Sequence, residues 1–134
     1  MKYVLDACAL IAFLRKESGG ELVRDIILSP KHSIHIHALN LCEVYYDFAR
    51  GQGESVADEM IQVVSEIGII IDNDLDRDLW VSAGRLKARI KRISLADTLA
   101  VEHTNAFNAT LLTSDHKEFD RLDNEKYCKI QFIR

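Results

Sequence analysis

Short apolar runs alternate with helical stripes along this chain. Runs at 3–5 (YVL), 68–71 (GIII), 109–113 (ATLLT) and 130–133 (IQFI) predict strands, with SIHIH at 33–37 a weaker candidate. Between them Val56, Met60, Val63, Val64 and Ile67 follow one another at steps of 4, 3, 1 and 3, which places them on one side of a helix. A second stripe is Leu75, Leu79, Ala83, Leu86 and Ile90. A third, Leu41, Cys42, Tyr45, Phe48 and Ala49, runs into the glycines of GQG at 51–53, residues suited to a helix end. ACALIAFL, directly after Asp6, and ISLADTLAVEH are expected to open two more helices. Strands alternating with helices predict βαβ units and a mainly parallel sheet covered on both faces. No repeat, linker or composition shift divides the 134 residues, so 1–134 is expected to form a single domain.

In open α/β sheets ligands bind at the carboxyl ends of the strands, so acids at those ends carry the most information. Asp6 follows the first strand run and is the single charge in YVLDACALIAFL. Asp115 ends ATLLTSD, Glu43 lies in LNLCEVY roughly opposite its helix's apolar stripe, and Asp97 lies in ISLADTLAVEH. Each has an ordinary reading. Asp6 suits an N-cap whose second carboxylate oxygen stays free; Asp115 suits a turn or cap, with Glu118 three positions on. Ser94 and Asp97 match the capping box, and Glu43 alone reads as a solvated surface residue. Taken together, a parallel sheet would bring all four to one edge. Clustered carboxylates raise one another's pKa unless a cation neutralises them. Mg²⁺ or Mn²⁺ is the natural partner, and such an ion activates water for phosphodiester hydrolysis.

YVLDACALIAFL, LNLCEVY, ISLADTLAVEH and ATLLTSD, in that order, resemble the PIN-domain nucleases, in particular the single-domain VapC-type ribonuclease toxins. With its spacing, the resemblance covers nearly the whole chain. It implies a three-layer α/β sandwich, with a central mainly parallel sheet of four to five strands flanked by helices. The family's strand-end Asp, helical Glu, helical Asp and further strand-end Asp fall on Asp6, Glu43, Asp97 and Asp115, as catalytic and metal-holding residues. The implied activity is a Mg²⁺- or Mn²⁺-dependent endoribonuclease acting on RNA. Homodimers and an antitoxin protein that occludes the site are implied as well. Many relatives carry Ser or Thr two residues after the first acid, where this chain has Cys8. Thr113 and Ser114 keep hydroxyls beside the fourth acid, and Glu118 and Asp120 are either auxiliary acids or solvated residues of a short helix.

Composition narrows the alternatives. With 48% apolar residues, 28% charged residues and one proline, the chain reads as ordered. Lacking a membrane-length apolar window and a leader pattern, it is expected in the cytoplasm, away from membranes. Cys8, Cys42 and Cys128 are odd in number and far apart, and read as reduced core residues. A net charge of −4 argues against coating nucleic acid through charge alone, yet GRLKARIKR at 84–92 holds five cations and no acid. On a helical wheel Arg85, Arg89 and Arg92 line one flank of the apolar stripe and Lys87 and Lys91 the other. Such cations either snorkel around a buried face or contact an RNA backbone.

Competing motifs fail or read as structural. IDNDLDRD invites a calcium-loop reading, but has Arg77 where the loop needs Gly and Ala83 where it needs Glu. Asp74 is then expected to cap a helix, with Asp76 and Asp78 in its first turn. His32, His35 and His37 fall within six residues and invite a soft-metal reading, but the alternating HIH reads rather as one face of a strand; His116 reads as a surface residue or a phosphate contact. Two alternatives to a nuclease stay open: a catalytically silent PIN-like module that binds RNA or protein, and a receiver domain phosphorylated at Asp6 or Asp115.

Overall fold

A computed structural model describes residues 1–134. The elements are β1 (Lys2–Leu5), α1 (Ala7–Leu14), α2 (Gly20–Leu28), β2 (Ser33–His37), α3 (Ala38–Gln52), α4 (Glu54–Glu66), β3 (Ile70–Asp72), α5 (Arg77–Arg89), α6 (Leu95–Ala106), β4 (Thr110–Thr113), α7 (His116–Asn124) and β5 (Ile130–Phe132). All the predicted strands form, in the order β3-β2-β1-β4-β5 with every neighbouring pair parallel.

Alternation along the strands builds the two cores. Tyr3 and Leu5 of β1, Ile34 and Ile36 of β2 and Leu112 of β4 pack with Leu10, Val23, Val44 and Val64 of α1–α4. Val4 and Leu111 point the other way, to Leu86, Ala100, Val101, Phe119 and Leu122 of α5–α7. Each fully buried side chain of this kind stabilises the fold by about 1.5–3 kcal/mol. The chain begins at the centre, moves outward through β2 and β3, then crosses to β4 and β5. The helix after β1 thus lies on one face and the helix after β4 on the other. Between these neighbouring strands the connections part, which opens a crevice at their carboxyl ends.

Local differences from the sequence expectation have physical causes. Helix α2 was not expected; its stripe is short, with Val23 and Ile26 buried. Gly20 lets it approach α1, because a Cβ there would stand 2.4 Å from the Ala12 carbonyl oxygen. Helix α3 continues through Gly51 and stops at Gly53, whose φ of +94° favours glycine. Leu75 lies outside α5 and is exposed, and the cap is Asp76, accepting from Leu79 N–H at 2.9 Å, in place of Asp74. Because α5 ends at Arg89, Arg92 lies beyond the helical face assigned to it. Cys8 and Cys42 are exposed and only Cys128 is buried: apolar neighbours in sequence do not decide which side of a helix a residue takes. No helix is long and apolar enough to cross a membrane.

Candidate active site

The acid that leaves β1 is tied to the end of β4. Asp6 adopts extended backbone and caps α1, one carboxylate oxygen accepting from Ala9 N–H at 2.8 Å. Its second oxygen accepts the Thr113 hydroxyl rather than standing free; each oxygen keeps a further lone pair. Thr113 Oγ1 in turn accepts from Asp115 N–H at 3.0 Å, and Asp115 caps α7 through Glu118 N–H at 3.0 Å. One threonine hydroxyl therefore spans the crevice between Asp6 and Asp115.

The other two acids arrive on helices. Ser94 caps α6 by accepting from Asp97 N–H at 3.1 Å, which sets Asp97 in the first turn, half-buried. Glu43 is half-buried on α3. Three residues before it, buried Asn40 donates from Nδ2 to the Ala96 carbonyl at 3.3 Å and joins α3 to α6. Asn40 was missed in the sequence; a polar residue inside the apolar ALNL segment was the available signal.

Electrostatics shows that these acids share one environment. Burial pushes the Asp6 carboxyl from 3.8 up to about 7, with Asp97 and Asp115 adding repulsion against its Thr113 and Ala9 hydrogen bonds. Asp97 also reaches about 7, through burial first and then Glu43, Glu118 and Asp115. Burial raises Glu43 as well. Cys8 stands beside these acids: although the residue is exposed overall, its thiol is packed closely enough that desolvation, followed by Asp6, Asp115, Asp97 and Glu43, pushes it up to about 12. None of the four acids takes part in an ion pair. An all-oxygen donor set with no counter-charge fits a hard divalent cation. The side chains do not stand in ready-made cage geometry, here or elsewhere in the molecule.

The remaining candidates divide. Ser114 is half-buried and lies outside the Asp6–Thr113–Asp115 chain. Glu118 adds repulsion that raises the Asp97 carboxyl, whereas Asp120 pairs with His116 Nδ1 at 2.9 Å. His116 is exposed, stacks on Phe132 at 4.0 Å and donates from Nε2 to the Arg134 carbonyl. Arg89 is engaged by Glu125 at 3.0 Å, while Arg85 and Arg92 are exposed and unpaired. Arg92 precedes the Ser94 cap by two residues and lies five positions before Asp97 in the sequence.

The family model for the PIN domain matches residues 3–125. No curated protein sequence matches the chain. Among solved structures, VapBC-1 from nontypeable Haemophilus influenzae superposes with a TM-score of 0.75 at 19% identity, over 99% of this chain and 98% of that one. VapBC2 from Rickettsia felis, bound to a DNA fragment from their promoter, gives 0.73 at 22%, covering 98% of each chain. VapC20 of Mycobacterium tuberculosis, a toxin that cleaves the sarcin-ricin loop, gives 0.72 at 13%, over 89% of this chain and 94% of that one. Identities this low establish a shared fold.

Proposed function

The chain belongs to the PIN domain family, and from that premise we propose that it is a metal-dependent endoribonuclease with Asp6, Glu43, Asp97 and Asp115 as its catalytic and metal-holding residues. The observation that carries this reading is the meeting of these acids, without an ion-paired cation, where the connections leaving the paired strands β1 and β4 part. Mg²⁺ or Mn²⁺ suits the donor set, and when bound it supplies Lewis acidity and neutralises charge on a phosphodiester.

The chain's own residues do the positioning and the proton handling. Thr113 fixes Asp6 against Asp115, while the Ala9 and Glu118 amides orient the two carboxylates. A carboxylate of the cluster that faces the attacking water would take its proton and return it to the leaving 3′ oxygen, and with a cation bound the acids stay ionised against the burial that raises Asp6 and Asp97 without it. The products are then 5′-phosphate and 3′-hydroxyl ends. Arg85 and Arg92 offer unpaired charge for the RNA backbone, with Arg89 contributing less because of Glu125. The likeness to toxin–antitoxin complexes supports a toxin role with a cognate antitoxin covering the acids, and the reading includes a homodimer in the cytoplasm.

The test is cleavage of a structured RNA pool by purified protein with Mn²⁺, with mapping of the new 5′ ends. Parent protein should cut, and chelator or Asp6→Asn should abolish cutting while circular dichroism stays native. Equal cutting by Asp6→Asn refutes the assignment. Salt-dependent binding without cutting turns the choice to the silent module.

A further inference from the structure

Two histidines and a carboxylate meet away from the acid cluster, where β2, β3 and α6 touch. Ile34 and Ile36 of β2 face α1–α4, so His35 and His37 face the other way, towards α6. Asp72 ends β3 in register with His37. Its Oδ2 accepts a hydrogen bond from His35 Nδ1 at 2.9 Å and lies 2.9 Å from His103 Nε2. His103 is 2% exposed, yet neither of its ring nitrogens makes a hydrogen bond; Nε2 is near Asp72 but off the bonding axis. His37 is already committed, accepting from Leu39 N–H through Nδ1 and donating from Nε2 to the Asp74 carbonyl.

We propose that His35, Asp72 and His103 bind a transition-metal dication of the Zn²⁺ class, at a site separate from the acid cluster. Two imidazoles and one carboxylate select such ions over Mg²⁺ or Ca²⁺, which prefer oxygen alone. Donors bound tetrahedrally at about 2.0–2.2 Å stand about 3.4 Å apart, so the 2.9 Å spacings to Asp72 would open by about half an ångström as the ion enters and replaces the His35–Asp72 hydrogen bond. A ligand imidazole has to be neutral, so metal binding at this site should weaken as the pH falls. His35 then carries its proton on Nε2, where Ser33 Oγ stands at 3.3 Å to accept it and fix the ring.

Binding requires the His103 ring to turn, since the donors are not prearranged. A cavity of about 320 Å³, lined by His103, Phe107, Glu102, Asp74, Asp76 and Asp78, gives it room and an acidic entrance that attracts cations. The bound ion would fasten the three-residue edge strand β3 to β2 and α6.

The experiment titrates chelator-stripped protein with Co²⁺ under excess Mg²⁺, which fills oxygen sites and competes weakly for imidazole. One equivalent of Co²⁺ should bind with a visible absorption band, and Zn²⁺ should displace it and raise the melting temperature. Asp6→Asn should keep this behaviour; His103→Gln and His35→Gln should lose it. If His103→Gln fails to fold, His35→Gln at the more exposed ligand decides alone. A Co²⁺ band that survives His35→Gln, as one at Cys8 or Cys42 would, overturns the proposal, and so does absence of Co²⁺ binding to the parent. RNA cleavage is a separate readout and bears only on the acid cluster.

Discussion

Replacing Asp6 with asparagine should stabilise the metal-free protein at alkaline pH while abolishing cleavage. Asp6 is 1% exposed, and burial pushes its carboxyl up to about 7 in the fold, against 3.8 for the free side chain. At 1.36 kcal/mol per unit, ionising it above pH 7 costs the folded state about 4 kcal/mol relative to the unfolded chain. A carboxyl whose folded pKa is raised contributes stability below the unfolded value and loses it as pH rises through the folded one. The window here runs from 3.8 to about 7. Asparagine caps a helix as well as aspartate does, so the Ala9 contact survives. Its amide meets the Thr113 hydroxyl less well, a loss of about 1 kcal/mol. The net gain at pH 8 is then about 3 kcal/mol, or on the order of 10 °C in melting temperature. Thermal melts by circular dichroism in chelator at pH 4, 5.5 and 8 read this directly. The advantage should be full at pH 8, partial at 5.5 and absent or reversed near pH 4. Mn²⁺ at pH 8 should raise the parent's melting temperature and leave the variant's unchanged. A variant no more stable than the parent at pH 8, or a gap independent of pH, refutes the reasoning.

Thr113→Val removes the hydroxyl between Asp6 and Asp115 and should lower kcat/KM for RNA by about 10- to 100-fold with the fold intact; an unchanged rate would show that the bridge does not position the acids. Arg92→Gln should weaken RNA binding and reduce the slope of log affinity against log salt by about 1, whereas Arg89→Gln, whose arginine is engaged by Glu125, should change that slope less. Fluorescence anisotropy across a salt series distinguishes them, and equal effects would contradict the placement of Arg92. Phe119→Ala, at a fully buried position on α7, should cost about 3–5 kcal/mol in urea denaturation, and a loss below about 1 kcal/mol would mean that α7 contributes little to its core.

Each acid of the cluster had a capping or surface reading that competed with a functional one, and the capping readings of Asp6 and Asp115 hold in the structure. Asp6 caps α1 and Asp115 caps α7, while Ser94 caps α6 through the Asp97 amide. The alternatives were never rivals. In a parallel sheet every strand ends where the next helix begins, so the residues that satisfy helix amides also stand at the edge where ligands bind. A carboxylate there can accept an amide with one lone pair and keep others for a cation. That is why short motifs revealed Asp6, Asp97 and Asp115, and why Glu43, on the side of a helix away from any cap, depended on the resemblance. The histidines were less legible because their partners are remote. His35 reads as an ordinary strand residue until Asp72, 37 positions on, and His103 are brought against it by pairing of β2 with β3 and packing of α6. Asp72 itself was absorbed into an alternating acidic run whose local pattern pointed towards calcium, and register alone gives it imidazole neighbours. Contacts made by turns and caps can be read from neighbouring residues, whereas contacts made across strands wait for the sheet order, as the pairing of β3 with β2 does here.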